Sequence, residues 1–207
     1  PEEGTGTISD FEEVPFVGDV VELLPTYGMA CAITEDPDDG AQLYECDSEY
    51  LDESYAIELP GEFKSAFFGL VTLTDDTIVW PEEDEDSYWL GTIKAPAPVV
   101  GLGAELDSDE SCYLLDNGEV YCGNPEEGDT FEEATFQMDY PEPVTAIGWG
   151  MVLLSNGEVW TLEEDPEEIP LDSKAEDIAG FFWVKLENGD LAFVDANEFE
   201  VYLALDS

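Results

Sequence analysis

One unit, written out five times with variations, limits what this 207-residue chain can fold into. Its clearest copy is Ser111-Cys112-Tyr113-Leu114-Leu115-Asp116-Asn117-Gly118-Glu119-Val120-Tyr121-Cys122-Gly123-Asn124. Apolar and aromatic residues flank Asp116-Asn117-Gly118, and Asn and Gly tolerate the positive φ that tight hairpin turns need. With a three-residue loop over 116–118, Leu115 faces Glu119, and pairing outward sets Cys112 opposite Cys122. Directly opposed Cβ atoms lie roughly 4.5–5.5 Å apart and a disulfide wants about 3.5–4.5 Å, so a cross-strand bridge is feasible. A two-residue turn would shift the register and spoil it. Two free buried thiols are the alternative. A zinc pair is disfavoured, because the chain has no His and no Cys-x-x-Cys.

The pattern recurs at Leu153-Leu154-Ser155-Asn156-Gly157-Glu158-Val159-Trp160 and at Lys185-Leu186-Glu187-Asn188-Gly189-Asp190-Leu191. Leu73-Thr74-Asp75-Asp76-Thr77-Ile78-Val79-Trp80 is a further copy, with Thr77 read in the glycine position. The first copy is stretched by Glu35-Asp36-Pro37-Asp38-Asp39-Gly40, and its Cys31 and Cys46 take the places of Cys112 and Cys122. Successive turns are 37, 41, 39 and 32 residues apart, a period that means a repeat architecture. A short apolar strand ending at glycine precedes each hairpin, as in Val99-Val100-Gly101-Leu102-Gly103 and Val144-Thr145-Ala146-Ile147-Gly148, often entered through proline (Pro60, Pro96, Pro98, Pro141, Pro143). Five such units stacked radially make an all-β propeller, in which blades bury one another's faces.

The run of proline, Val-x-x-Leu/Ile, glycine and then Cys-Tyr-Leu-Leu-Asp-Asn-Gly-Glu-Val-Tyr-Cys resembles the repeat of the RCC1-like β-propeller family. In particular it is similar to the secreted bacterial branch, whose hairpins each carry a cysteine pair. The resemblance spans residues 14–207 and is sharpest over 99–124. The family's histidine after the glycine is absent, Glu110-Ser111 standing there, and its Trp-Gly after the hairpin is reduced to Gly123-Asn124. Family members include exchange factors, inhibitors and surface modules, so the fold implies no single function.

These units predict a flexible lead-in over 1–6 and one propeller domain over 7–207, with repeats at about 14–54, 55–91, 92–133, 134–171 and 172–207. Residues 7–16 and the tail at 199–205 occupy equivalent places, so one is a surplus strand. Pairing the ends would close the ring; pairing with a neighbouring molecule is the alternative. With 43% hydrophobic residues, including 11 Phe, 9 Tyr and 5 Trp, the chain can bury a single core. It has no apolar run of about 18 residues, and so no membrane-inserting helix is expected. A chain beginning at Pro1 without Met is what a cleaved leader, or a trimmed sequence, leaves.

The net charge is −49, from 53 acidic residues against Lys64, Lys94, Lys174 and Lys185. That excludes electrostatic binding of nucleic acid and disfavours anionic membrane surfaces. Adaptation to high salt, binding of a basic partner or divalent cations, and deliberate supercharging each account for such acidity. Cations, divalent or monovalent, are expected to screen the surface. Asp36, Asp38 and Asp39 in one loop and Asp107 and Asp109 in another are candidate Ca²⁺ ligands, calcium wanting six to eight oxygens, although neither run completes an EF-hand pattern; solvated loops are the plainer reading.

Catalysis is not expected. Without histidine there is no Ser-His-Asp or Cys-His machinery, and without arginine there is no bidentate phosphate clamp. No Gly-rich phosphate loop follows a strand. Paired carboxylates serve glycoside hydrolysis, but among 53 acids a pair is no signal. No cofactor is implied beyond possible calcium. Trp80 and Trp160 are read as one recurring core position; Trp89, Trp149 and Trp183 stand apart. The expectation is a secreted or cell-surface, non-enzymatic structural or protein-binding module, a subunit of an extracellular assembly or filament, with capture of a basic protein or calcium-dependent surface binding as the alternatives.

Overall fold

The 111–123 hairpin folds as its local chemistry demands. In a computed structural model, which describes residues 16, 18–24, 30–48, 53–67, 69–84, 87–104, 110–179, 182–194 and 201–205, strand β10 (Ser111–Leu115) pairs antiparallel with β11 (Val120–Gly123), Cys112 opposite Cys122. Gly118 takes φ +85°, its N–H donates to Leu115 O at 3.0 Å, and Asn117 Oδ1 accepts the Glu119 N–H at 3.0 Å. The same lock recurs with Asn156 and Gly157 (φ +85°) and with Asn188 and Gly189 (φ +92°).

One copy departs from the sequence reading. Asp76, not Thr77, occupies the glycine position: it holds φ +67° and donates its N–H to Leu73 O at 2.9 Å, while Asp75 Oδ1 accepts from Thr77 N at 3.1 Å, as Asn117 does from Glu119. Aspartate is among the few L-residues that visit the left-handed region readily, so a turn without glycine remains possible here.

Each hairpin is the centre of a four-stranded antiparallel meander. The first sheet is β1 (Asp19–Leu24), β2 (Ala30–Glu35), β3 (Gln42–Ser48) and β4 (Glu53–Glu58). The second is β5 (Phe63–Phe67), β6 (Leu70–Leu73), β7 (Thr77–Asp84) and β8 (Ser87–Lys94). The third adds β9 (Val99–Ala104) before β10 and β12 (Phe136–Gln137) after β11, the latter reached through a 3₁₀ turn, Pro125–Glu127, and one helical turn, Phe131–Ala134. The fourth is β13 (Val144–Ile147), β14 (Met151–Leu154), β15 (Val159–Thr161) and β16 (Glu168–Ile169). The fifth is β17 (Ala175–Ala179), β18 (Trp183–Leu186), β19 (Leu191–Val194) and β20 (Val201–Leu205).

The stretches at 55–59 and 134–139, with which the expected repeats 55–91 and 134–171 begin, instead close the preceding sheets as β4 and β12, and β8 crosses the expected boundary at 91/92. The repeats are therefore offset from the expected boundaries. β20 likewise pairs with β19 in its own sheet. The N-terminal half of the surplus-strand argument, residues 7–15, lies outside the described residues.

Alternating side chains make two faces per sheet, and four apolar cores form where consecutive sheets stack. Ile33, Tyr44 and the Cys31–Cys46 pair meet Val71, Leu73 and Val79 between the first two sheets. Ile78 and Trp80 meet Tyr113 and Leu115 between the second and third. The Cys112–Cys122 pair, Leu114 and Val120 meet Val152 and Leu154 between the third and fourth. Met151, Leu153 and Val159 meet Val184, Leu186 and Ala192 between the fourth and fifth. Among the described residues, extensive strand contact joins each sheet to its successor and not the fifth to the first.

A register shift interrupts the first strand pair of every sheet, at 20/22, 63/65, 144/146 and 175/177, and between Leu114 and Leu115 opposite Val99 and Gly101 in the third. A bulge bends and twists its strand. It also leaves one residue out of the ladder, as with Val100, exposed beside buried Val99 and Leu102 in β9.

Candidate binding surfaces

Both expected cysteine pairs are bridged. Cys31–Cys46 and Cys112–Cys122 are disulfides, each with Cα atoms 4.1 Å apart on directly opposed positions of a hairpin. Disulfides persist in oxidising compartments, so the pairs point to an environment outside a reducing cytosol. Among the described residues no helix is long and apolar enough to cross a membrane.

In the described candidate loop, 35–40, the carboxylates turn to the backbone. Asp36 Oδ1 accepts the Asp38 N–H at 2.8 Å and Asp39 Oδ1 accepts the Ala41 N–H at 2.9 Å. Gly40, at φ +76°, donates to Asp36 O. These carboxylates shape the turn that replaces Asn-Gly in the first hairpin. Asp107 and Asp109 lie outside the described residues. Among the described residues no three metal-ligating groups converge.

Every lysine is engaged. Lys64 meets Asp76 at 2.9 Å, Lys94 meets Asp75 at 3.1 Å and Lys185 meets Glu176 at 2.9 Å, while Lys174 Nζ donates to Asn156 O at 2.7 Å. The hydrogen bond from Thr77 and the nearby Lys94 hold the Asp75 carboxyl below its ordinary range. The remaining acidic surface has no internal counter-charge.

A cleft of about 260 Å³ opens beside the third hairpin turn, where the 137–143 connection passes the Asn117 corner. Glu119, Asp139 and Glu142 line it with Asn117 and Gln137. Val120, Met138, Tyr140, Pro141 and Pro143 share the lining, so the cleft sets these carboxylates and amides against apolar walls.

The tryptophans separate once the turns are correctly aligned. Trp80 stands four residues after Asp76 and shares the Cys122 position, packing toward the next sheet; Trp160 stands three after Gly157, shares the Tyr121 position and packs toward the previous one. They are not one recurring position, because a one-residue slip in a strand exchanges faces. Trp149 lies 6.4 Å from Phe67 across two sheets. Trp89 and Trp183 are exposed. Trp183 lies on the outer face of the fifth sheet with Lys185, Leu191 and Phe193, and among the described residues no core covers that face; neither composition nor period signalled it.

No known family matches the sequence, and no curated protein matches it. The fold does have likenesses. The structure of human WBSCR16 matches with a TM-score of 0.60 at 12% identity, over 86% of this chain and 63% of that one. Apo AztD from Citrobacter koseri matches with a TM-score of 0.44 at 11% identity, over 88% of this chain and 45% of that one. The fold is thus of the β-propeller kind, built here from five four-stranded sheets. The chain spans less than two thirds of the WBSCR16 chain.

Proposed function

We propose that the chain is a secreted, non-enzymatic, RCC1-like β-propeller that serves as a structural and protein-binding module, a subunit of an extracellular assembly. The observation that carries this reading is the exposure of Trp183 and Leu191 on one face of the fifth sheet, at positions that are buried in the fourth. In-blade disulfides support it, because they stiffen two of the five hairpins without touching the outer surfaces. Histidine and arginine, on which most hydrolytic and phosphate-handling sites depend, are missing from the composition. Sedimentation velocity of the full chain across NaCl concentrations, with and without calcium, tests the reading. Concentration-dependent association once charge is screened supports it, and a monomer under every condition sinks it.

A second reading, capture of a basic protein, is favoured by the engagement of all four lysines against 53 acidic residues. The cleft at Glu119, Asp139 and Glu142 is its natural focus. A lysine-rich peptide should then bind with a steep salt dependence, weakened several-fold in Glu119→Gln/Glu142→Gln. Binding unaffected by that double substitution would remove the cleft from the account. Loss of either behaviour on chelation would instead mark calcium-dependent surface binding.

A further inference from the structure

We propose that Tyr55 and Tyr88 form a site of oxidative modification, at which a one-electron oxidant joins the first and second sheets through a carbon–carbon bond between the two rings, a dityrosine link. The site is independent of whether the chain assembles.

Tyr55 stands on β4, opposite Cys46 in the ladder, and Tyr88 stands on β8. These are the outer strands of neighbouring sheets, and they touch. The two rings stack across that junction with centroids 4.3 Å apart and planes 15° from parallel. Offset aromatic pairs ordinarily lie about 4.5–7 Å apart, and the other described ring pairs lie between 5.3 and 6.4 Å. At so close an approach the carbons of one ring lie against those of the other, and a bond between them needs little ring movement. Tyr55 packs against the core between the two sheets, which fixes its orientation. Both tyrosines are half-buried and not sealed, so an oxidant in solution reaches them. Tyr44 extends the stack inward, 6.3 Å from Tyr55 and 5° from parallel, but it is buried and its hydroxyl donates to Gly69 O.

The chemistry closes on these two side chains and the oxidant. Each phenol gives up one electron to the oxidant and one proton to water. The two phenoxyl radicals then pair their odd electrons in a single bond between ring carbons ortho to the oxygens. Each ring moves its displaced ortho hydrogen to its own oxygen and regains aromaticity. The protein has lost two hydrogen atoms, and two equivalents of a one-electron oxidant, such as a peroxidase intermediate or an oxidised metal complex, have been reduced. The disulfides point to an oxidising environment, in which such oxidants occur. Each disulfide ties strands within one sheet. The tyrosine pair lies between two sheets, and its link holds neighbouring blades together.

The test oxidises the full chain with photogenerated tris-bipyridyl ruthenium(III) and persulfate, under conditions that couple free tyrosine. The expected product is a monomer that has lost two hydrogen atoms in intact mass, shows dityrosine fluorescence and yields, on digestion, one peptide joining the segments around residues 55 and 88. Its melting temperature should rise, because the link closes a loop in the unfolded chain as a disulfide does. Tyr55→Phe and Tyr88→Phe keep the rings and should each lose the linked monomer, whereas Tyr121→Phe should retain it. Melting curves taken before oxidation verify that the variants fold, and the peptide map of the unsubstituted protein decides the pairing even where a variant is unstable. A linked monomer that persists in either Tyr55→Phe or Tyr88→Phe overturns the site, as does dityrosine formed only between chains. Absence of dityrosine where free tyrosine couples overturns it equally.

Discussion

Lys64 Nζ lies 2.9 Å from Asp76 Oδ1, tying the bulge in β5 to the turn between β6 and β7. The same Asp76 holds φ +67° in a position that glycine fills in the turns after β10, β14 and β18. Backbone and ion pair therefore make opposite demands on one residue. Asp76→Gly relieves the backbone and loses a half-exposed ion pair worth at most about 1 kcal/mol, so its stability should stay within about 1 kcal/mol of the parent. Asp76→Ala keeps the left-handed cost of about 1–2 kcal/mol and loses the pair as well. Urea midpoints should rank glycine above alanine; equal midpoints would show that Asp76 is not the left-handed residue of that turn.

Two buried tyrosines should respond oppositely to removal of their hydroxyls. Tyr44 OH donates to Gly69 O at 3.0 Å, bridging the first and second sheets. Tyr113 OH is buried without a hydrogen-bond partner, Ser111 standing near it but outside bonding geometry. Tyr44→Phe should cost roughly 0.5–1.5 kcal/mol, the net worth of one hydrogen bond, and Tyr113→Phe should be neutral or stabilising. Denaturant titration of the two variants side by side decides this.

The same residues set an alkaline limit. Burial pushes both phenols well above the ordinary tyrosine value, with Tyr55 adding to the rise at Tyr44. A folded value above the unfolded one means that the proton stabilises the fold. That contribution is complete below the unfolded value of about 10 and is lost as pH climbs beyond it. Stability should fall above about pH 10, with tyrosinate absorbance appearing together with unfolding and less steeply in Tyr44→Phe. Ionisation of all tyrosines before any loss of structure would contradict this.

Reduction should weaken the fold unevenly. The Cys31–Cys46 bridge closes a loop of sequence separation 15 and Cys112–Cys122 one of 10. On the chain-entropy account each bridge contributes about 3 kcal/mol, the longer loop slightly more. Paired Cys→Ala variants compared by denaturant midpoint should both fall, with the 31/46 pair falling at least as far. A variant as stable as the parent would mean that the unfolded chain is already restricted there.

Salt should stabilise. With a net charge of −49, repulsion acts across the whole surface, and the screening length falls from about 30 Å at 0.01 M to about 3 Å at 1 M. Tm should rise through that range, and MgCl2 should match NaCl at equal ionic strength if screening rather than a bound ion is responsible. A flat profile would count against repulsion as a significant cost.

The hairpin from Ser111 to Gly123 was legible down to its register, because Asn-Gly turn chemistry and the position of two cysteines are local facts. Cys31 and Cys46 were legible by the same homology of position, despite six inserted residues. The second hairpin was misaligned by one residue, since Thr77 follows two aspartates and either Asp-Asp or Asp-Thr can be read as the turn. That slip moved Trp80 to the wrong face. The bulges left no signal, as Lys64, Val100 and Thr145 share no residue type. Strand β4 was assigned to the following unit because a meander of equal strands has no local mark of where one sheet ends.

What the amino-acid order determined by itself is therefore the set of five hairpins, the pairing of cysteines within two of them, the alternation of side chains and the large negative charge. These depend on interactions between residues close in sequence, or on counting alone. The tertiary structure decided which faces are covered. Val159 and Leu191 occupy matching positions after matching Asn-Gly turns, yet Val159 is buried and Leu191 is exposed. Alternation tells which side chains share a face; only the presence of another sheet, brought there by contacts distant in sequence, tells whether that face becomes a core or a surface.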